Sequence, residues 1–98
     1  MNKMRFDWDE GNWPKCGKYG LSKKGIEYVP SNDPLIMPDR YPPELETRFN
    51  AVGQNENGGH VFLVFTLRGD GKRHVVRPIS ARYMHAKEIQ HYERQRKT

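Results

Sequence analysis

Arginine is well suited to gripping a phosphodiester, because its planar guanidinium offers paired donors and stays charged at any physiological pH. Four arginines, Arg48, Arg68, Arg77 and Arg82, fall where the chain is most strand-like. Held in a pocket, such groups stabilise the extra negative charge of a phosphorane-like transition state. Thr66 and Ser80 are small polar residues of the same segments. Tyr83, Tyr19, Tyr92, Trp8 and Trp13 are flat side chains on which unpaired bases stack. The plainer alternative makes Arg68 and Arg82 surface residues paired with Asp or Glu, pairs that are common and worth little.

Other chemistries find less support. His85 and His91 are six residues apart on a helical segment and point to different sides. His60 and His74 can approach across a hairpin, but no Cys or carboxylate joins them at ligand spacing, so neither a metal nor another cofactor is expected. Each of the four histidines remains a candidate general acid or base. Gly17-Lys18-Tyr19-Gly20 lacks the length and the Ser/Thr of a phosphate loop. Cys16 is the single cysteine and cannot form an internal disulfide. The net charge of +5 and a pI near 9.5 favour a polyanion or an acidic protein partner. Apolar residues make up 35% of the chain and charged ones 30%, so residues 1–98 are expected to form one domain with a thin core. No apolar run is long enough to span a bilayer and the N-terminus lacks a leader's apolar stretch, so no membrane association and a cytoplasmic location are expected.

The elements that must position these groups follow from local pattern. Met4, Phe6 and Trp8 alternate with Arg5 and Asp7, the period of a short strand. Asp7 or Asp9 is placed to cap a first helix, poor because of Gly11, Pro14 and Gly17, and closed at Lys18-Tyr19-Gly20. Ser22 is the N-cap expected for a second helix from Lys23 to Val29, stopped by Pro30, and Asn32-Asp33-Pro34 is a turn. Residues 38–43 read as a stiff polar loop. Strands are expected over 47–54, 60–68 and 73–81, separated by Asn55-Glu56-Asn57-Gly58-Gly59 and by a Gly69-Asp70-Gly71 hairpin loop. From Met84 onward, Ala86, Ile89 and Tyr92 share a helical stripe.

A three-residue hairpin loop sets Arg68 opposite Lys72. Val61, Leu63, Phe65 and Leu67 then face the core with Val75, Ile79 and Ala81, while Thr66 and Arg68 lie on the polar face with His74, Ser80 and Arg82. Arg77 falls on the core side in that register unless a bulge at Pro78 re-aims it.

One series of residues supports a resemblance over nearly the whole chain. Trp8-Asp9-Glu10, Lys18-Tyr19-Gly20-Leu21, Asp33-Pro34, Glu46-Thr47-Arg48-Phe49, Val64-Phe65-Thr66-Leu67-Arg68, Arg77-Pro78-Ile79-Ser80-Ala81-Arg82, Glu88 and Tyr92-Glu93 together resemble the BrnT family of toxins. The resemblance implies an α+β, RelE-like fold: a small antiparallel sheet with two N-terminal helices and a C-terminal helix. It implies a metal-independent ribonuclease toxin of a type II toxin–antitoxin pair that arrests translation. It also implies a BrnA-like antitoxin that neutralises the toxin and alone carries DNA binding, so that the complex, a dimer of toxin–antitoxin heterodimers, represses its own operon. On this reading Arg68 and Arg82 neutralise the scissile phosphate, with Arg77 and Arg48 in support. Lys18 and Tyr19 are candidates for proton transfer, and Glu46 or Glu88 orients the cations. Glu46, Arg48, Thr66, Ser80 and Tyr83 contact the RNA, and Glu88 has the further role of capping the last helix. Tyr19 stands where the family has His, and Pro78 replaces an aliphatic residue. The alternative expectation is therefore a catalytically weak or inactive subunit that acts by antitoxin binding and promoter repression. A third is a general single-strand RNA binder.

Overall fold

The run HVFLVFTLR, rich in β-branched and aromatic residues, forms the central strand of a five-stranded sheet. In the computed structural model, which describes residues 4–69 and 74–96, the strands are β1 (Arg5–Phe6), β2 (Leu35–Pro38), β3 (Arg48–Gln54), β4 (His60–Arg68) and β5 (Val75–Tyr83). They lie in the order β1-β5-β4-β3-β2. All neighbours are antiparallel except β1, which runs parallel to β5. Two α-helices accompany the sheet, α1 (Lys23–Tyr28) and α2 (Ala86–Arg96).

This architecture corrects the expected RelE-like arrangement. The sheet is mixed rather than antiparallel, and a single short α-helix, not two, precedes its main strands. The segment expected as the first helix is a string of turns ending in a 3-10 turn at Lys15–Gly17. Gly11 and Gly17 are poor helix formers, and Pro14 has no amide to donate. Gly17 also has a packing reason to be glycine, since a Cβ there would lie 2.7 Å from the Trp13 ring. α1 forms as expected, with the Ser22 hydroxyl accepting the Gly25 amide at 3.0 Å and Pro30 lying in a terminal 3-10 turn at Val29–Ser31. β2 was not expected, because Leu35-Ile36-Met37-Pro38 has no polar alternation.

Each sheet face has its own cover. Cys16, Leu21, Ile26 and Val29 of the N-terminal layer pack on Ala51, Val61, Leu63, Phe65, Val76 and Ala81. Ile26 and Val29 are wholly buried, each worth roughly 1.5–3 kcal/mol of transfer free energy. On the opposite face Tyr92 and Ile89 of α2 pack with Val52, Met84, Phe62 and Leu35.

The β4–β5 register also differs from the expected one. Arg68 pairs with Val75, not Lys72, and the expected Gly69-Asp70-Gly71 loop lies beyond Gly69 outside the described residues. Thr66 pairs with Arg77 and Phe65 with Pro78, but Val64 pairs with Ser80. Ile79 is therefore the extra residue of a β-bulge. The core side of β5 is Val76, Pro78 and Ala81, rather than Val75, Ile79 and Ala81. Arg77, Ser80 and Arg82 all come to lie opposite the even-numbered residues of β4, on its other face.

Candidate functional site

Register alone builds the first part of the site. Arg48, Thr66 and Arg77 are direct partners across β3, β4 and β5, forming one row, and Arg68 lies two residues farther along β4 on the same face. Together with Glu46 they wall a cavity of about 200 Å³ beside the bulge. Pro78 and Ile79 form another part of its wall, and Gly11, Asn12 and Lys15 reach it from the N-terminal turns. The Thr66 hydroxyl is buried and donates to the Thr47 carbonyl at 2.7 Å, so it ties the start of β3 to β4.

Each arginine is oriented by acidic partners. Arg48 Nε donates to Glu46 Oε1 at 2.8 Å, and its guanidinium lies 3.7 Å from the Tyr41 ring centroid. The other carboxylate oxygen of Glu46 is 3.7 Å from Arg68, whose side chain is 55% exposed and the most accessible of the three. Arg77 is the most constrained. Its Nη1 and Nη2 donate to the two Asp9 oxygens at 3.0 and 2.9 Å, and Nη1 also donates to Asp7 at 3.0 Å. The Arg77 hydrogen bond, then the Gly11 amide, holds the Asp9 carboxyl below its ordinary range. The same contact with Asp9 raises the affinity of Arg77 for its proton.

A buried asparagine holds this arrangement to the bulge. Asn12 Nδ2 donates to the carbonyls of Asp7 and Pro78, both at 2.9 Å, while its Oδ1 accepts the Asp9 amide at 2.8 Å. Gly11 sits where a Cβ would lie 3.0 Å from Arg77 Nη2 and 3.1 Å from Asp9 Oδ1. Asn12, Lys15 and the clamping role of Asp7 and Asp9 were not readable in the sequence. Asp7 and Asp9 carry a helix-capping signal there, and the Asn12–Pro78 contact joins residues 66 apart.

Arg82 belongs to a second cluster. Its guanidinium donates twice to the Glu88 carboxylate, both at 2.8 Å, and lies 4.6 Å from the Phe62 ring centroid. Glu88 also accepts the His85 amide at 2.8 Å, which caps α2. The Arg82 hydrogen bonds and that amide lower the Glu88 carboxyl to about 2. Arg82 is raised in turn, chiefly by its hydrogen bonds to Glu88. Tyr19 and Lys18 are exposed, with the Lys18 ammonium 5.5 Å from the Tyr19 ring, and neither lines the arginine cavity. Ser80 and Tyr83 are exposed on β5, opposite Val64 and Val61.

The predicted residues thus divide. Arg48, Glu46, Thr66, Arg68 and Arg77 converge, while Arg82 pairs across β4 with Phe62, six residues from Arg68. That separation is about 20 Å along the strand backbone. Cys16 is buried, and burial pushes its thiol up, away from nucleophilic use. Among the described residues no three His, Cys, Asp or Glu side chains gather as a metal site, and no helix is long and apolar enough to cross a membrane.

Comparison with known proteins places this geometry in context. Residues 8–88 match the family described as "Ribonuclease toxin, BrnT, of type II toxin-antitoxin system". No curated protein matches the chain.

Proposed function

The chain belongs to the BrnT family of ribonuclease toxins of type II toxin–antitoxin systems, and from that premise we propose that it is a metal-independent endoribonuclease working at the arginine pocket. The observation that carries the reading is the row Arg48–Thr66–Arg77 with Arg68 beside it, three guanidinium groups around a single cavity. A phosphodiester seated there exchanges carboxylate partners for phosphate oxygens, and exposed Arg68 is the first to engage it. Attack of the ribose 2′-oxygen on phosphorus breaks the bond to the 5′-oxygen. The 2′-hydroxyl proton goes to a base, and the leaving 5′-oxygen takes up a proton. The products are a 2′,3′-cyclic phosphate and a 5′-hydroxyl. The arginines stabilise the phosphorane, and Glu46 orients two of them.

Ser80 and Arg82 extend this surface along β5 and are assigned to flanking RNA, while Tyr83, exposed at the end of β5 on the other face, is assigned to RNA that passes over the sheet end. A second version centres the chemistry on Arg82, with Lys18 and Tyr19 moving the proton, and draws on the exposed Lys18 ammonium lying 5.5 Å from the Tyr19 ring. In the cell the toxin cuts RNA in the cytoplasm and arrests translation. A BrnA-like antitoxin neutralises it, and their complex, a dimer of heterodimers, represses the operon through the antitoxin's DNA-binding domain. The competing reading, an inactive subunit that serves repression, draws on the carboxylates already holding Arg48 and Arg77.

The test is induction of the chain in a host followed by growth and RNA integrity, with cleavage of purified RNA in excess EDTA. Arrest, cyclic-phosphate ends and loss of both in Arg68→Ala support the pocket-centred enzyme. Loss in Arg82→Ala and Tyr19→Phe with Arg68→Ala unaffected moves the chemistry to the second cluster. Normal growth with intact RNA leaves the subunit reading.

A further inference from the structure

On the face covered by α2, the helix packs against Leu35 of the outer strand but leaves the space beside it open. Between β2 and α2 lies an open groove of about 590 Å³. Leu35, Met37, Val52, Phe62, Met84 and Tyr92 form its apolar walls. Ile36 and Met37 are 50% and 38% exposed, on a strand that ends the sheet. Large apolar side chains left open beside a formed groove mark an interaction surface. Among the described lining residues the rim charge without an opposite partner in contact is that of Lys87, and His91 offers a ring nitrogen beside it. Lys87 and His91 stand four residues apart on one exposed side of α2. Glu88, the acid among the described lining residues, already has its carboxylate held by Arg82.

We propose that this groove receives an amphipathic helix of the antitoxin, with its apolar stripe inserted between β2 and α2 and carboxylates facing Lys87 and His91. The inference rests on the toxin–antitoxin character of the family and is independent of whether the arginine pocket cuts RNA. A helix suits the groove better than an added strand. β2 has four residues and ends in Pro38, which has no amide to donate, so it is a poor template for strand addition. A second copy of this chain suits it worse than an acidic partner. The chain carries a net charge of +5, so two copies approach against a net repulsion that an acidic partner does not meet.

The protein encoded by the adjoining reading frame, purified, is the probe, titrated calorimetrically against this chain. Met37→Asp is expected to weaken binding roughly 100-fold and Lys87→Glu roughly 10-fold, as for a central apolar anchor and a rim charge. Neither residue lines the arginine pocket, so RNA cleavage by both variants stays at the wild-type level. Circular dichroism checks that each variant is folded. Wild-type affinity in folded Met37→Asp overturns the proposal. So does self-association of the chain alone that Met37→Asp abolishes in sedimentation, because the groove then belongs to a second copy. Loss of RNA cleavage in Met37→Asp with binding intact also overturns it. A wild-type chain that cuts no RNA yet shows the expected binding series keeps the groove assignment and removes the ribonuclease reading.

Discussion

Around the β5 bulge, Arg48 and Arg77 are each held by a carboxylate within 3.0 Å, and Arg77 is held by two. Four residues away along β3 and β4, about 13 Å at strand spacing, the groove between β2 and α2 has apolar walls and no protein segment lying in it among the described residues. The two regions are prepared for different partners. A pocket for a small, strongly solvated anion works only if its donors stand in place before the ligand arrives, and internal ion pairs do that. A surface for a folded partner needs exposed apolar area, and order there is supplied by the partner itself.

This contrast can be broken in stages. Arg77→Ala is expected to have the largest effect, lowering RNA cleavage by about 100-fold or more, as when one charge-stabilising donor is removed. Antitoxin affinity should be unchanged in that variant, and a parallel loss of both in a folded protein would merge the two regions. Asn12→Ala leaves the carbonyls of Asp7 and Pro78 without their side-chain donor. It should cost about 2 kcal/mol in denaturant unfolding and lower cleavage roughly tenfold through misplaced Asp9 and Arg77. Gly11→Ala pushes on the Arg77 guanidinium and should reduce cleavage about threefold with little change in stability, since the neighbour must move by only a few tenths of an ångström.

The smallest effect is one of pH. Glu88 is held at about 2, below its ordinary 4.5. A depressed carboxyl contributes stability that is complete above about 4.5 and disappears as pH falls toward 2. Thermal unfolding of the wild type should therefore weaken across that window, and Glu88→Gln should lack that part of the decline. An NMR titration of the Glu88 carboxyl with a midpoint near 4.5 would remove the basis for this expectation.

How far these features were legible depended on the range of the contacts behind them. β4 was readable because Val61, Leu63 and Phe65 alternate with less buried residues, and α1 because Ser22 and Pro30 bracket it. The turns over residues 10–19 were not, since Asn12 anchors them to the distant Pro78 carbonyl. β2 escaped notice because a strand that is apolar on both faces at a sheet edge makes no alternating pattern, and that same property creates the groove. The chemical type of the site was legible in its arginines, and the family in its motifs. Which arginines meet was legible only in part: Arg77 is tied in the sequence to a bulge at Pro78, and the grouping depends on the adjacent Ile79, the residue the ladder skips.

Ile79 is the β5 residue without a partner in the β4–β5 ladder, and Arg77 and Arg82 lie five positions apart on either side of it. In a regular strand an odd interval sends two side chains to opposite faces. Here the bulge absorbs one residue, so the interval behaves as an even one. A chain lacking Ile79 would carry its arginines four apart and present them to the same side. The interval between these two arginines is therefore an elastic quantity, and a search pattern with a fixed gap would separate proteins that share one surface.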